Sequence, residues 1–361
     1  MIKEGRTEIN IIGFEAYRGP GKKKASFYNP TFEIDRDIEV IFCQFIANKG
    51  AKKFLDAFSS TGIRGIRIAK EVDGDIEVHV NEINPLSFDI LKKNVSLNNV
   101  NIIMHSEDIK KLLLNYKYDY INIDPYGSPA YFIPSLSNGL RKIGYFSVTA
   151  TDVATLCGVY KKSCIRRYGA IPMRGQAMKE IGIRILLAFI AKSLAIFDYC
   201  FSPILSYSYS HFFRIYGMAE KGARKADSVM NKIGWIYWRD GWNYCNFEDI
   251  PDKNFCGPLW IGEMHSSFFL NEIEEILNEK ELRKKREIKR LLDLWKEEKN
   301  LPILFYETSY IAREIKVKQP KISKIIDGLR SVGYIAGRTH FSQCAFKTNA
   351  PYEEIKNIFR K

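Results

Sequence analysis

Between residues 35 and 150, short apolar runs alternate with stretches of helical periodicity, and this alternation constrains the fold more than any other feature of the chain. An amphipathic helix is expected over 35–50. A strand at Lys53–Phe58 follows, then a Ser-Thr-Gly turn and a helix at Ile63–Glu71. The pattern repeats as a strand at Ile76–Val80, a helix at Pro85–Leu97, and strands at Ile102–His105, Tyr118–Ile123 and Tyr145–Ala150. Strands separated by helix-length segments form βαβ units, whose parallel sheet is covered on both faces. Leu205–Ser210 and Phe213–Glu220 flank a polar interruption and read as an antiparallel pair closing the sheet. His211, inside that region, reads as a strand histidine with a satisfied ring. The expectation is an α/β domain over residues 1–222.

From about Gly222 the character changes. The segment 234–242 (GWIYWRDGW) is aromatic-rich, and Gly257-Pro258-Leu259-Trp260 has the look of a short β region. Residues 270–299 form a charged helical stretch; its 279–299 portion has nine Lys/Arg and six Asp/Glu, chiefly a solvated helix face. Then Ser309–Glu314, Lys321–Val332 and Gly333–His340 give helix, helix and strand, which suits a winged-helix-like end. A second, α+β domain is therefore expected over 223–361, and a length of 361 residues accommodates two domains.

Charge indicates the partner. Lys plus Arg exceed Asp plus Glu by 13, and the last 61 residues carry 11 basic and 5 acidic side chains. Such an excess favours a polyanion: nucleic acid, an anionic membrane surface or a phosphorylated ligand. The longest apolar run, Ile183–Leu205, is broken by Arg184, Lys192, Asp198 and Pro203, so a buried helix is expected there rather than a membrane span. The first 13 residues lack the apolar stretch of a secretory signal. Seven cysteines without a CxxC pair, and five histidines without HExxH, make neither a disulfide framework nor a metal site legible. A cytoplasmic protein with no metal and no obligate protein partner is the expectation.

Three acids fall at the ends of three successive strands. Asp56 opens the turn Asp56–Gly65 (DAFSSTGIRG), which includes Thr61 and leads into a helix. The turn is neither GxGxxG nor a P-loop, so neither a dinucleotide nor a nucleoside triphosphate is favoured. Glu82 ends the next strand, where a carboxylate can accept both hydroxyls of an adenosine ribose. Asp108 follows the third strand, within reach of an adenine amino group. Singly, each acid reads as a helix cap or turn residue. Their shared register marks the ligand crevice of an open α/β sheet, and a cationic, phosphate-free cofactor such as S-adenosyl-L-methionine tolerates acids that a pyrophosphate would not.

The fourth strand ends in Asp124-Pro125-Tyr126-Gly127. The exocyclic amine of a base is a weak nucleophile, because its lone pair is delocalised into the ring. A carboxylate and a backbone carbonyl can hydrogen-bond its two N–H groups and aim the nitrogen, while an aromatic ring stacks on the base for about 1–3 kcal/mol. The tetrad alone admits guanine N2, adenine N6 in RNA or DNA, or a non-catalytic RNA-binding protein on the same fold.

Beyond these local readings, a series of segments resembles one family in order along the chain. They are Asn29-Pro30 with Ile34-Asp35-Arg36-Asp37, then DAFSSTGIRG, NEINP, DPYGSP, Thr149–Asp152, Leu156-Cys157-Gly158, Arg167-Tyr168-Gly169, GPLW and Arg338-Thr339-His340-Phe341. Together they resemble the tRNA (guanine-26-N2)-dimethyltransferase family of archaeal type. The resemblance implies a class I (Rossmann-like) S-adenosylmethionine-dependent methyltransferase sheet with a C-terminal α+β domain that binds tRNA. It implies that Arg36 and Arg64 bracket the cofactor, that Glu82 holds the ribose, and that Asp108 and Ile109 hold the adenine. It implies Asp124 as the catalytic acceptor at the guanine amine, with Phe27 and Tyr126 sandwiching the extruded base beside Pro125. Lys23 near the site, and Lys318 and Arg338 in the terminal module, are candidate tRNA contacts. Many relatives carry paired CxxC motifs before GPLW. Here Arg239 and Trp242 stand at such positions, so no zinc is expected, and Trp235, Tyr237, Trp238 and Trp242 are expected to supply replacement packing.

Overall fold

The computed structural model describes residues 1–11 and 27–360. In chain order the elements that frame the site are β1 (Ile2–Glu4), β2 (Thr7–Ile9), α1 (Glu33–Asn48), β3 (Lys53–Asp56), α2 (Ile63–Glu71), β4 (Glu77–Asn81), α3 (Pro85–Asn98), β5 (Ile102–His105), α4 (Ile109–Asn115), β6 (Tyr118–Ile123) and β7 (Leu140–Ala150). The strands β3 to β7 run parallel, and β8 (Tyr199–Tyr209) and β9 (Phe212–Lys221) complete a sheet of order β5-β4-β3-β6-β7-β9-β8. Two residues join β8 to β9, so the pair is an antiparallel hairpin. His211 lies in that turn and is exposed, so its expected place inside a strand is corrected.

The chain divides into two compact units. One comprises Met1–Thr149, Tyr216–Glu220 and Phe268–Arg290; the other comprises Ala150–Ile215, Lys221–Ser267 and Leu291–Lys361. These units interleave along the chain, whereas the sequence boundary at 222/223 is a single cut.

In the first unit, burial on both faces explains why β3 and β6 read as continuous apolar runs. Phe54, Leu55, Tyr118, Tyr120, Ile121 and Ile123 have no exposed surface. Helix α1 buries Ile38, Ile41 and Phe42 completely, each worth about 1.5–3 kcal/mol over its exposed state. The turn into α2 depends on glycine twice. Gly62 has φ +81°, which L side chains rarely adopt, and a Cβ at Gly65 would meet Val80 Cγ1 at 2.3 Å. Helix α3 starts at Pro85, and the Asn84 side chain accepts from the backbone N–H groups of Leu86 and Ser87. Strands β4 and β5 step outward from β3 on one side, and β6 and β7 on the other. The chain therefore reverses direction between β3 and β6, the place where open α/β sheets bind ligands.

Two expectations need correction. The run Ile183–Leu205 is not one helix: helix Met178–Ala195 ends, Asp198 takes φ +59°, and β8 begins at Tyr199. The charged stretch 270–299 is two helices, Ser267–Glu279 and Lys285–Glu298. The break is held inside the first unit, where Lys280 Nζ donates to Gln44 Oε1 at 2.5 Å and to the Glu71 carbonyl and Asp73, each at 2.6 Å. Asp37 accepts from the Lys284 backbone N–H.

In the second unit, β10 (Ile233–Trp238) lies between β11 (Trp242–Asn246) and β12 (Phe255–Trp260), and GPLW lies in β12 as expected. Trp238 and Trp242 meet edge to face at 4.9 Å and pack against the core formed by Ile311, Ile325, Leu329, Phe346, Ile355 and Phe359. The terminal module has helices Thr308–Glu314 and Ile322–Ser331, and adds a three-stranded sheet of β13 (Tyr306–Glu307), β15 (Ala345–Thr348) and β14 (Ala336–Arg338), in that order, and a last helix at Tyr352–Arg360. Among the described residues no helix is long and apolar enough to cross a membrane.

Candidate active site

Asp56, Glu82, Asp108 and Asp124 stand at or just beyond the carboxyl ends of β3, β4, β5 and β6, all within the first unit. Asp124 keeps 22% of its side chain exposed and accepts from Arg64 Nη2 at 2.8 Å. The same nitrogen donates to Asp35 Oδ2 at 2.8 Å, and Arg64 Nη1 donates to Glu39. Asp35 and Glu39 are one turn apart on α1 and wholly buried, so a single guanidinium gathers three carboxylates. Arg64 itself is held well into its protonated form: burial opposes the charge, and Glu39, Asp35 and Asp124 outweigh it.

A polar chain continues inward from Glu39. The Tyr120 hydroxyl donates to Glu39 and lies 2.6 Å from the Ser147 hydroxyl. Ser147 Oγ lies 2.9 Å from Asn122 Oδ1, and Asn122 Nδ2 donates to Asp56 Oδ1 at 2.8 Å. Burial raises the Asp56 carboxyl, with Arg64 and the Asn122 hydrogen bond working against it. Asp56 Oδ2 and Thr61 Oγ1 are buried with no hydrogen-bond partner among the described residues, two orphaned polar atoms at the β3–α2 turn that a polar ligand would satisfy. With Asp35, Glu39, Asp56 and Asp124 against one Arg64, the region suits a cation and repels a pyrophosphate.

The Glu82 carboxylate accepts two backbone N–H groups, from Ser60 at 2.9 Å and Asn84 at 2.8 Å, while burial raises it. Asp108 caps α4 by accepting from the Lys110 N–H at 2.8 Å, and Ile109 behind it is 3% exposed. Asn81 Nδ2 donates to the carbonyls of Ala57 and Glu107, tying together the turns that follow β3 and β5.

Phe27 and Tyr126 come together, but not as parallel walls. Their ring centroids are 5.3 Å apart at 88°, edge to face, which leaves no slot for a base. Pro125 is buried between Asp124 and the exposed Tyr126. Ser60, absent from the sequence prediction, ties this pair to the acids: its hydroxyl accepts from the Phe27 N–H at 2.9 Å.

Arg36 and Arg64 were expected to bracket the cofactor, yet their donors are engaged with protein carboxylates. Arg36 Nε and Nη2 each donate to Glu4 at 2.6 Å, and Nη2 also reaches the Asn29 carbonyl. Lys318 and Arg338 are exposed in the second unit, and Lys23 lies outside the described residues. Asp35, Glu39 and Ser60 were missed as site residues. Their signal was present: acids at 33, 35, 37 and 39 in the first turns of a helix that becomes apolar after them, and a Ser-Ser-Thr-Gly turn.

His265, Glu298 and His340, in the second unit, place three potential metal ligands within 4.8 Å. The Ser208 N–H donates to His340 Nε2 at 3.2 Å, which assigns the ring proton to Nδ1, 2.6 Å from Glu298 Oε2. A metal at Nδ1 would need that proton gone and the Ser208 bond broken. The arrangement therefore acts as a buried hydrogen-bond hub: Glu298 Oε1 also accepts from the His340 N–H and the Thr339 hydroxyl.

Residues 5–360 match the profile of the family described as N2,N2-dimethylguanosine tRNA methyltransferase. The tRNA (guanine(26)-N(2))-dimethyltransferase of Pyrococcus abyssi is 36% identical over 92% of this chain and 92% of its own length. That of Methanosphaera stadtmanae is 34% identical over 99% and 96%. A solved structure of Trm1 from Pyrococcus horikoshii with S-adenosyl-L-methionine superposes with a TM-score of 0.89 at 33% identity, covering 99% of this chain and 98% of that one. Acids at the strand ends around the sheet's reversal point, a family match over residues 5–360 and a whole-chain structural likeness agree, and the chain belongs to the N2,N2-dimethylguanosine tRNA methyltransferase family.

Proposed function

We propose that Asp124 is the catalytic acceptor through which this chain, an S-adenosylmethionine-dependent tRNA (guanine-N2) methyltransferase, orients the amine of guanine 26 for one or two methyl transfers. The observation that carries the assignment is the partly exposed carboxylate at the end of β6, held by Arg64 and followed directly by Pro125 and the exposed Tyr126. The cofactor supplies a methyl group on a sulfonium. Asp56, Thr61, Glu82, Asp108 and Ile109 would hold it, and the orphaned oxygens of Asp56 and Thr61 support that fit. Arg36 contributes by fixing Glu4, and Arg64 by fixing Asp124.

The acceptor's task is positioning more than proton transfer. A carboxylate that accepts one N–H of the amine restricts its rotation and draws electron density onto nitrogen, and it is the first base available as nitrogen becomes cationic. After one methylation, the remaining N–H can occupy the same carboxylate if the new methyl turns away. Phe27 and Tyr126 would stack on the extruded guanine, which requires one ring to leave its edge-to-face contact. Lys23, Lys318 and Arg338 would contact the tRNA backbone, with residues 223–361 as the tRNA-binding domain and the cytoplasm as the working compartment.

Incubation of a guanine-26 tRNA transcript with labelled S-adenosyl-L-methionine, followed by nucleoside mass spectrometry, tests this reading. N2-methylated guanosine at position 26 is the expected product. Label in N6-methyladenosine, or none in a sample that binds the cofactor, would overturn it.

A further inference from the structure

Ser60 occupies an unusual place. Its φ of +48° is rare for a residue with a side chain, so the surrounding structure holds it in a strained turn. Its backbone N–H donates to Glu82 Oε2 at 2.9 Å. Its hydroxyl meets Phe27 on both backbone groups, accepting from the N–H at 2.9 Å and lying 3.3 Å from the carbonyl. Phe27 in turn meets the Tyr126 ring edge to face at 5.3 Å. One residue thus bonds both the acid assigned to the cofactor ribose and the backbone of Phe27, whose ring is assigned to the base.

We propose that Ser60 is a positioning residue that couples cofactor binding to the opening of the base slot. The inference rests on the reading of Glu82 as the ribose acceptor and of Phe27 with Tyr126 as the stacking pair. Both Glu82 oxygens already accept backbone N–H groups, from Ser60 and Asn84. Ribose hydroxyls arriving at that carboxylate compete with the Ser60 N–H for the same lone pairs. Loss or lengthening of that bond releases a strained turn, and the turn's hydroxyl carries Phe27. The 88° contact between Phe27 and Tyr126 is then the resting state, and cofactor binding biases the pair toward the opening that admits guanine. A ligand shifts such an equilibrium only through its different affinity for the two arrangements, and competition for Glu82 supplies that difference.

Coupling of this kind is reciprocal, so the cofactor product should raise tRNA affinity by the same factor by which tRNA raises affinity for the product. The experiment measures the dissociation constant of a tRNA transcript with and without saturating S-adenosylhomocysteine. The proteins are the full-length wild type, Ser60→Ala, Ser60→Gly and Glu82→Gln. Glycine accepts the positive φ, so Ser60→Gly removes the hydroxyl while relieving the backbone. Wild type should show coupling of about fivefold or more, within the usual range for linked sites. Both Ser60 variants should fall below about twofold, with S-adenosylhomocysteine affinity alone little changed. Coupling retained in both Ser60 variants, or absent from wild type, would overturn the proposal. Glu82→Gln separates the two levels. Unchanged S-adenosylhomocysteine affinity in that variant defeats the ribose assignment itself; weakened affinity there, together with coupling retained in the Ser60 variants, defeats only the role of Ser60.

Discussion

Arg64 Nη2 lies 2.8 Å from Asp124 Oδ2 and equally 2.8 Å from Asp35 Oδ2, so the exposed acid of the site is tethered to a buried one through a single nitrogen. The tether fixes the rotamer of Asp124. A lysine at position 64 would keep the charge but lose the planar fork that spans three carboxylates. Arg64→Lys should therefore lower kcat by about 10–100-fold, equivalent to about 1.4–2.7 kcal/mol in the barrier. Arg64→Ala also strands Asp35 and Glu39 in the interior, a loss of about 3–5 kcal/mol that thermal unfolding would register. An Arg64→Lys enzyme with wild-type kcat would show that Asp124 needs no tether.

Asp124 and Glu82 should separate chemistry from cofactor binding. Asp124→Asn preserves shape but removes the charge that orients the amine, and turnover should fall about 10²–10⁴-fold. Its affinity for S-adenosyl-L-methionine by calorimetry should stay near wild type. Glu82→Ala should do the reverse at subsaturating cofactor, weakening binding and raising KM more than it lowers kcat. Wild-type cofactor affinity in Glu82→Ala would contradict the ribose assignment.

The parallel core was readable because it is repetitive. Buried parallel strands are apolar throughout, and acids at successive strand ends stand out against them, so β3 to β6 and Asp56, Glu82, Asp108 and Asp124 could be found from spacing alone. What spacing could not give was which charges face one another. The family resemblance implies Arg36 and Arg64 at the cofactor, and in the fold both also hold carboxylates distant in sequence. Glu4 is 32 positions from Arg36 and Asp124 is 60 from Arg64, contacts that only the folded chain brings together. The orientation of the Phe27 and Tyr126 rings and the contacts of Ser60 with Phe27 and Glu82 depend on side-chain torsions and on one positive φ, none of which leaves a mark in composition. The helix break after Glu279 hid for another reason. Lys280 interrupts a charged run with another charge, so the break has no polar or glycine signature.

Glu4 sets an acid limit on stability. Burial pushes its carboxyl up, but Arg36 and Arg67 win, lowering it from 4.5 to about 2. A group whose folded value is depressed contributes stability that is fully present above its unfolded value and is lost as pH falls toward the folded one. The contribution, on the order of 3 kcal/mol for a shift of this size, should therefore be intact above about pH 4.5 and fade between there and about pH 2. Urea unfolding at pH 7 and pH 3 should show a steeper loss for wild type than for Glu4→Gln, which is less stable at pH 7 but has no such carboxylate to titrate. Equal losses in both proteins would assign the acid sensitivity elsewhere.

The basic excess should govern how tRNA docks without choosing the reaction. The last 61 residues carry 11 basic and 5 acidic side chains, and Lys318 and Arg338 are both exposed. Each lysine or arginine that neutralises a phosphate releases a condensed counterion, so the logarithm of tRNA affinity should fall linearly with the logarithm of salt concentration. Removing one such contact by Lys318→Ala or Arg338→Ala should weaken binding uniformly across tRNA sequences and reduce the salt slope by about 1. The methyl transfer rate at saturating tRNA should be unchanged, because neither residue belongs to the compact unit that holds Asp124. The two measurements together separate docking from chemistry. A variant that loses affinity with an unaltered salt slope would have lost a hydrogen bond or local packing rather than a phosphate contact, and one that loses rate at saturation would place the side chain in the positioning of guanine.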